Sequence, residues 1–202
     1  SGSWQAEPGS PAYQIVQKGK VWDLSKIDID KLREEYAATE YKNIEIADLR
    51  AFISQKLAQM MKANATRTDF AHRFQAIIDR YNAGGSSNEQ YFEELLRFTR
   101  ELKAEARRNV EEGLSEDELE LFDLLRRDDL TKDETQKVKL AARHLLHRLL
   151  DESPKVLVQD WFKDRQTQLA VRSAVVTVLD ADLPESYDRN VFNQACDRVM
   201  DV

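Results

Sequence analysis

Asn88-Glu89-Gln90-Tyr91-Phe92-Glu93-Glu94-Leu95-Leu96-Arg97-Phe98-Thr99-Arg100-Glu101-Leu102-Lys103-Ala104-Glu105-Ala106-Arg107-Arg108-Asn109-Val110-Glu111-Glu112, followed by Gly113-Leu114-Ser115-Glu116-Asp117-Glu118, is the stretch on which the fold class turns. Phe92, Leu95, Phe98, Leu102, Ala106 and Val110 recur in it at intervals of three and four residues, one face of a 3.6-residue period. Neither glycine nor proline interrupts the run. The spacing predicts one long helix over 88–112. Gly113 stands where a left-handed cap ends a helix, and Leu114 where a side chain folds back onto the last turn. Ser115 and Glu118 then form a capping box, opening a helix through about Arg127.

The same signals extend in both directions. A helix is expected over about Ile29 to Thr39. Another covers about Asn43 to Met61, with Ile46, Leu49, Ile53, Leu57 and Met60 on one face. The next runs from about Thr68 to Ala83, its stripe being Phe70, Phe74, Ile77, Ile78 and Tyr81. Asn82-Ala83-Gly84-Gly85-Ser86-Ser87 stops that helix and starts the long one. Thr131 and Glu134 make a second capping box, for a helix to about Asp151. Ser153-Pro154 places an N-cap before a first-turn proline. The helix it opens is expected to reach about Asp180 through Trp161, Phe162, Leu169, Val175, Val176 and Leu179. Leu183-Pro184 breaks the chain, and Ser186 is the expected cap of a last helix over about Tyr187 to Asp201. Strand material is confined to Tyr13–Ser25, where Tyr13–Val16 and Val21–Leu24 flank Lys18-Gly19-Lys20 as a short hairpin.

Composition agrees. Among 202 residues there are 6 Gly and 4 Pro, and no proline falls between Pro11 and Pro154. Sheet folds need many tight turns and those residues to make them. The expected class is therefore all-α, a multi-helix bundle of about seven or eight helices with a short extended or hairpin N-terminal segment. Residues 1–12 read as disordered linker or vector-derived scar, 13–25 as an extended segment leading in from upstream domains, and 26–202 as the helical domain. The chain reads as a piece of something longer. A net charge of −7 opposes a whole-surface nucleic-acid binder, so any DNA contact is local. The lone cysteine, Cys196, rules out an internal disulfide and fits a reducing compartment. No run is long and apolar enough to span a bilayer.

Catalytic sets are hard to assemble. His144 and His147 stand three apart and, with Asp151, are the candidate metal set of a helical hydrolase. Zinc needs three or four convergent ligands, His72 lies far away, and Arg143 and Arg148 oppose a cation. Gly84-Gly85-Ser86-Ser87 lacks the lysine of a phosphate loop. Glu101-Leu102-Lys103 has the spacing of a nuclease motif but sits in mid-helix. Cys196 beside Asp197 reads as a buried hydrophobe. No catalytic, cofactor or metal residue is assigned. The basic residues are more informative. Arg97, Arg100, Lys103 and Arg107, with Arg108, lie on one side of the long helix, and Glu94, Glu101, Glu105 and Glu112 on the other flank. Arg67, Arg73 and Arg80 are spaced six and seven apart. Such faces serve as solvated or intramolecular ion pairs, as protein docking surfaces or as phosphate contacts, and the sequence leaves all three open.

Five strings in order carry a resemblance: Asn43-Ile44-Glu45-Ile46-Ala47-Asp48-Leu49-Arg50; Asn64-Ala65-Thr66-Arg67-Thr68-Asp69-Phe70; Phe74-Gln75-Ala76-Ile77-Ile78-Asp79-Arg80-Tyr81-Asn82; Gly113-Leu114-Ser115-Glu116-Asp117-Glu118-Leu119 with Phe122-Asp123; and Leu179-Asp180-Ala181-Asp182-Leu183-Pro184-Glu185-Ser186-Tyr187. Together they resemble the C-terminal helical domain of the restriction (motor, R) subunit of type I restriction–modification enzymes, over about Leu24 to Val202. The resemblance implies a parent subunit with a metal-dependent nuclease domain and two ATP-driven helicase-like motor domains upstream. That parent is an ATP-dependent type I site-specific deoxyribonuclease using ATP and Mg. The partners implied are the modification (methyltransferase) and specificity subunits, the upstream motor domains, and DNA through the assembled complex. The compartment implied is the cytoplasm of a bacterium or archaeon. This domain is then expected to be non-catalytic, docking the motor subunit onto the modification core. None of the family's catalytic motifs falls on a position here. The last helix stops at Val202, where family members often continue. A DNA-contacting role within the same complex is the alternative. The Asn64-Ala65-Thr66 sequon is irrelevant in that compartment, and Thr66 or Thr68 is expected to cap the following helix.

Overall fold

The structure, a computed structural model, describes residues 22–151 and 165–202. The expected linker over 1–12, the first hairpin arm, and the Ser153-Pro154 start signal with Trp161 and Phe162 lie outside the described residues. Among the described residues there are eight α-helices and no strand. They are α1 (Ile29–Ala38), α2 (Lys42–Ala63), α3 (Thr68–Asn82), α4 (Asn88–Glu112), α5 (Glu116–Leu125), α6 (Lys132–Asp151), α7 (Arg165–Asp182) and α8 (Arg189–Met200). The described part of the expected second hairpin arm, Trp22 to Leu24, is not a strand. Asp23 there accepts from the Ser25 N–H at 3.0 Å and its hydroxyl at 2.7 Å. That capping starts a 3-10 turn over Leu24–Lys26 instead.

The helices gather into two compact units. Of the described residues, one unit holds those up to Lys62 together with Arg67–Arg108, and the other holds Ala63–Thr66 and those from Asn109 onward. Each has its own core.

In the first unit, α2 buries all five positions of its stripe: Ile46, Leu49, Ile53, Leu57 and Met60. They share a core with Tyr91, Phe92, Leu95, Leu96, Phe98 and Leu102 of α4. Burying each such side chain stabilises by about 1.5–3 kcal/mol. Ring pairs set the register. Tyr81 stacks on Tyr91 with centroids 4.0 Å apart, and Phe74 on Phe98 at 5.4 Å, so α3 runs antiparallel to α4. Tyr36 of α1 stacks on Phe92 at 4.0 Å and donates its hydroxyl to Glu89 at 3.1 Å. Two expected stripe members of α4 lie outside: Ala106 is exposed and Val110 is 74% exposed. Glu105 is buried in their place.

The second unit packs Leu119, Phe122 and Leu125 of α5 with Val138, Ala142 and Leu145 of α6, Val175 and Leu179 of α7, and Cys196 and Val199 of α8. The Ser115 capping box forms reciprocally, at 2.9 and 3.1 Å. The Thr131 box does the same, at 3.0 and 3.1 Å. At the far end of α5, the Arg198 guanidinium donates to the Leu124 carbonyl at 2.8 Å and Tyr187 to the Leu125 carbonyl at 2.6 Å. These bonds satisfy carbonyls that a helix end would otherwise orphan. Ser186 does not cap α8. Asp188 does, accepting from the Val191 N–H at 2.9 Å, while the Ser186 hydroxyl donates to Glu134. Leu169, one of the apolar positions along the expected helix, is 57% exposed.

Gly113 takes φ +71°, and the Gly113 and Leu114 N–H groups return to Val110 and Asn109 at 3.0 and 2.8 Å. This is the cap the sequence calls for, and Leu114 is buried. An L-residue there is strained by about 1–2 kcal/mol. Gly113→Ala should therefore lower the urea midpoint with an unchanged denaturant slope. Tyr36 supplies a pH test. Burial, helped by the Glu89 carboxylate, pushes its phenol up to about 12 from 10.0. A group raised on folding contributes stability that is complete below its unfolded pKa and lost as pH rises through the folded one. Phenolate absorbance should show a tyrosine step near pH 12 that is absent in Tyr36→Phe.

Candidate functional site

The basic candidates divide by helix. Those of α3, with Arg67 just before it, are committed inside the first unit. Arg80 pairs with Glu94, Arg73 with Glu101, and Arg67 with Glu105. The two spacings visible in the sequence are the two sides of one antiparallel ladder. Its outer rungs are half-exposed. Its innermost rung is not: the Arg67 and Glu105 side chains are 2% and 9% exposed, with Nε 2.9 Å from Oε2. Arg67 also donates to the Met60 carbonyl at 3.0 Å, and Glu105 accepts from Arg108 at 2.9 Å. A buried charge needs its counter-charge and further hydrogen bonds to be tolerable, and this one has both.

The other α4 carboxylate near this face is diverted too. Glu93 accepts two hydrogen bonds from Arg33 of α1, which hold its carboxyl below the ordinary glutamate range. The candidate face then reads as follows. Lys103 donates its Nζ to the Ile27 carbonyl at 3.0 Å, so it braces the chain before α1. Arg97, Arg100 and Arg107 are exposed; Arg97 and Arg100 act on the Glu93 carboxylate through space, without a contact ion pair among the described residues. Arg97 lies on the shared wall of two clefts of about 550 and 280 Å³. Arg80, Glu93 and Glu94 line the larger, and Arg73, Phe98 and Glu101 the smaller. The wall of the larger cleft carries both signs, with Glu89, Glu93 and Glu94 beside Arg80 and Arg97.

The remaining candidates are engaged in the fold. His144 Nδ1 lies 2.7 Å from Asp182 of α7, whereas His147 Nε2 lies 3.0 Å from Asp151. The two histidines thus go to different acids. Among the described residues no group of three metal-ligating side chains converges. The Gly84, Gly85 and Ser87 N–H groups already donate to Tyr81, Arg80 and Gln90, so this loop offers no cradle to a phosphate. Gly84 has φ +82°, and a Cβ on Gly85 would fall 2.7 Å from Arg80 Cγ. Glu101 and Lys103 turn to different partners, with fully buried Leu102 between them. Burial pushes the Cys196 thiol up, away from thiolate reactivity.

Sequence reasoning missed a second polar joint. Asn64, fully buried, donates to Asp123 at 3.0 Å, and the Thr66 hydroxyl reaches the same carboxylate at 3.1 Å. The Ala65 N–H donates to Glu120 at 2.7 Å. Thr66 therefore caps no helix, and α3 starts after Arg67 without a side-chain cap. The only signal for this joint was the presence of both strings among the recognisable motifs. The buried ladder rung has a sharper test. Arg67→Met leaves Glu105 beside Arg108 alone and should cost about 3–5 kcal/mol. Arg67→Met with Glu105→Leu should recover most of that loss, as read by chemical denaturation.

Among the described residues no helix is long and apolar enough to cross a membrane. No solved structure matches the chain. A chain of Methanocaldococcus jannaschii named as a type I restriction enzyme MjaIXP endonuclease subunit is 24% identical over 169 residues, covering 83% of this chain and 16% of that protein's length. The chain thus spans about a sixth of that relative. Residues 12–201 match the family described as type I restriction enzyme HindI endonuclease subunit-like, C-terminal. With that match over nearly its whole length, the chain belongs to the family of C-terminal domains of type I restriction enzyme endonuclease subunits.

Proposed function

We propose that this domain docks the endonuclease subunit onto its modification methyltransferase core and breaks no bonds itself. The observation that carries this reading is where the reactive side chains go. Glu101, Lys103, His144 and Cys196 are each engaged in holding the fold. The exposed arginines of α4 are instead presented on a rigid helix, a geometry suited to binding. ATP and Mg then serve the domains upstream, and the complex works in the cytoplasm of its bacterial or archaeal host. Specificity subunits and DNA enter through the assembly.

A second reading gives Arg97, Arg100 and Arg107 to DNA phosphates. It is supported by the same exposure and opposed by the net charge of −7 and by the carboxylates alongside. The test is co-elution of this chain with the methyltransferase–specificity complex in size-exclusion chromatography. The expected result is a stable complex that forms without DNA. A chain that is helical by circular dichroism and still elutes alone contradicts the proposal.

A further inference from the structure

Helix α4 carries arginines in two classes of surroundings. Arg108 meets Glu105 one turn back on its own helix. Arg97 has Glu93, Glu94 and Glu101 within one turn, the spacing at which helix ion pairs form. All three carboxylates make their contact ion pairs elsewhere, with Arg33, Arg80 and Arg73, although Glu93 still feels Arg97 and Arg100 through space. Arg100 has no acidic residue three or four positions away and acts on Glu93 only through space, and Arg107 has Glu111 one turn on. Three guanidinium groups therefore stand without a contact ion pair on one strip, about 15 Å long at the rise of an α-helix. Between Arg100 and Arg107 stands exposed Ala104, a small side chain over which another backbone can come close.

We infer that Arg97, Arg100 and Arg107 form the contact strip for a carboxylate-bearing protein surface on another subunit. The inference rests on the docking reading above and names its chemistry. Charge complementarity selects the occupant. Guanidinium forks pair bidentately with carboxylates. A nucleic-acid backbone would supply anions too, but it would have to run along Glu89, Glu93 and Glu94, which line the same wall as Arg97. A polyanion is repelled along such a wall. A protein surface of mixed charge can place carboxylates at the arginines and cations at the glutamates. Electrostatic matching of this kind acts mostly on association rate and partner choice.

The test uses the complete endonuclease subunit and its modification complex. Subunits carrying Arg97→Glu, Arg100→Glu and Arg107→Glu together are compared with the same positions changed to Gln. Because these side chains make no ion pair among the described residues, both variants should keep the wild-type circular dichroism. The expected result is assembly weakened about tenfold or more by reversal and less by Gln, with wild-type affinity falling as salt rises. Wild-type assembly by the reversal variant overturns the inference. So does a reversal variant that loses DNA affinity while assembling normally, because the strip would then be a phosphate contact. A subunit lacking residues 12–201 separates the two claims. If it fails to assemble while the reversal variant assembles, docking stands and the strip falls; if it assembles fully, docking falls as well.

Discussion

An arginine sealed from water is stable only beside an anion sealed with it, and the Arg67–Glu105 pair imposes that constraint on the first unit. The pair sits at one end of the α3–α4 ladder, and the stacked rings at Phe74–Phe98 and Tyr81–Tyr91 repeat its register on the apolar side. Sliding α3 by one turn would separate the charges and unstack the rings together. Charge and packing therefore select the same arrangement, which is the agreement between levels that gives a chain one native state. The consequence reaches the surface. Because Glu93, Glu94 and Glu101 of α4 make their contact pairs with α1 and α3, the outer arginines of α4 are left without a contact ion pair on the helix.

Much of this was legible in the residues. The bounds of α4, both capping boxes, the Gly113 cap and the α2 stripe follow from spacing and local chemistry, and local chemistry is what a single sequence contains. The ladder was legible only in halves. Arginines at 67, 73 and 80 and glutamates at 94, 101 and 105 are both visible, but which arginine meets which glutamate depends on the antiparallel register, a tertiary fact. The same gap explains Glu105. Periodicity assigns the lower turns of α4 to Ala106 and Val110, since it ranks residues by hydropathy and does not know that Arg67 arrives there to neutralise a carboxylate. Ser186 failed for a related reason. Its hydroxyl finds Glu134, a partner 52 residues away, and Asp188 takes the cap.

Three of the five strings that carry the family resemblance prove to be joints of the fold. Asn64 and Thr66 meet Asp123 in the second unit. Tyr187 closes the end of α5, and Asp182 meets His144. Each joins segments distant in sequence, so changing one side alone would orphan a polar partner. This accounts for a sequence whose most recognisable strings say which architecture it has and assign no chemistry to it.

The most direct measurement is amide hydrogen exchange across residues 12–201 of the full endonuclease subunit, free and bound to the modification complex without DNA. The account predicts slower exchange on assembly within this domain, strongest in peptides covering α4. Unchanged exchange throughout the domain, with protection confined to upstream segments of the subunit, would contradict it.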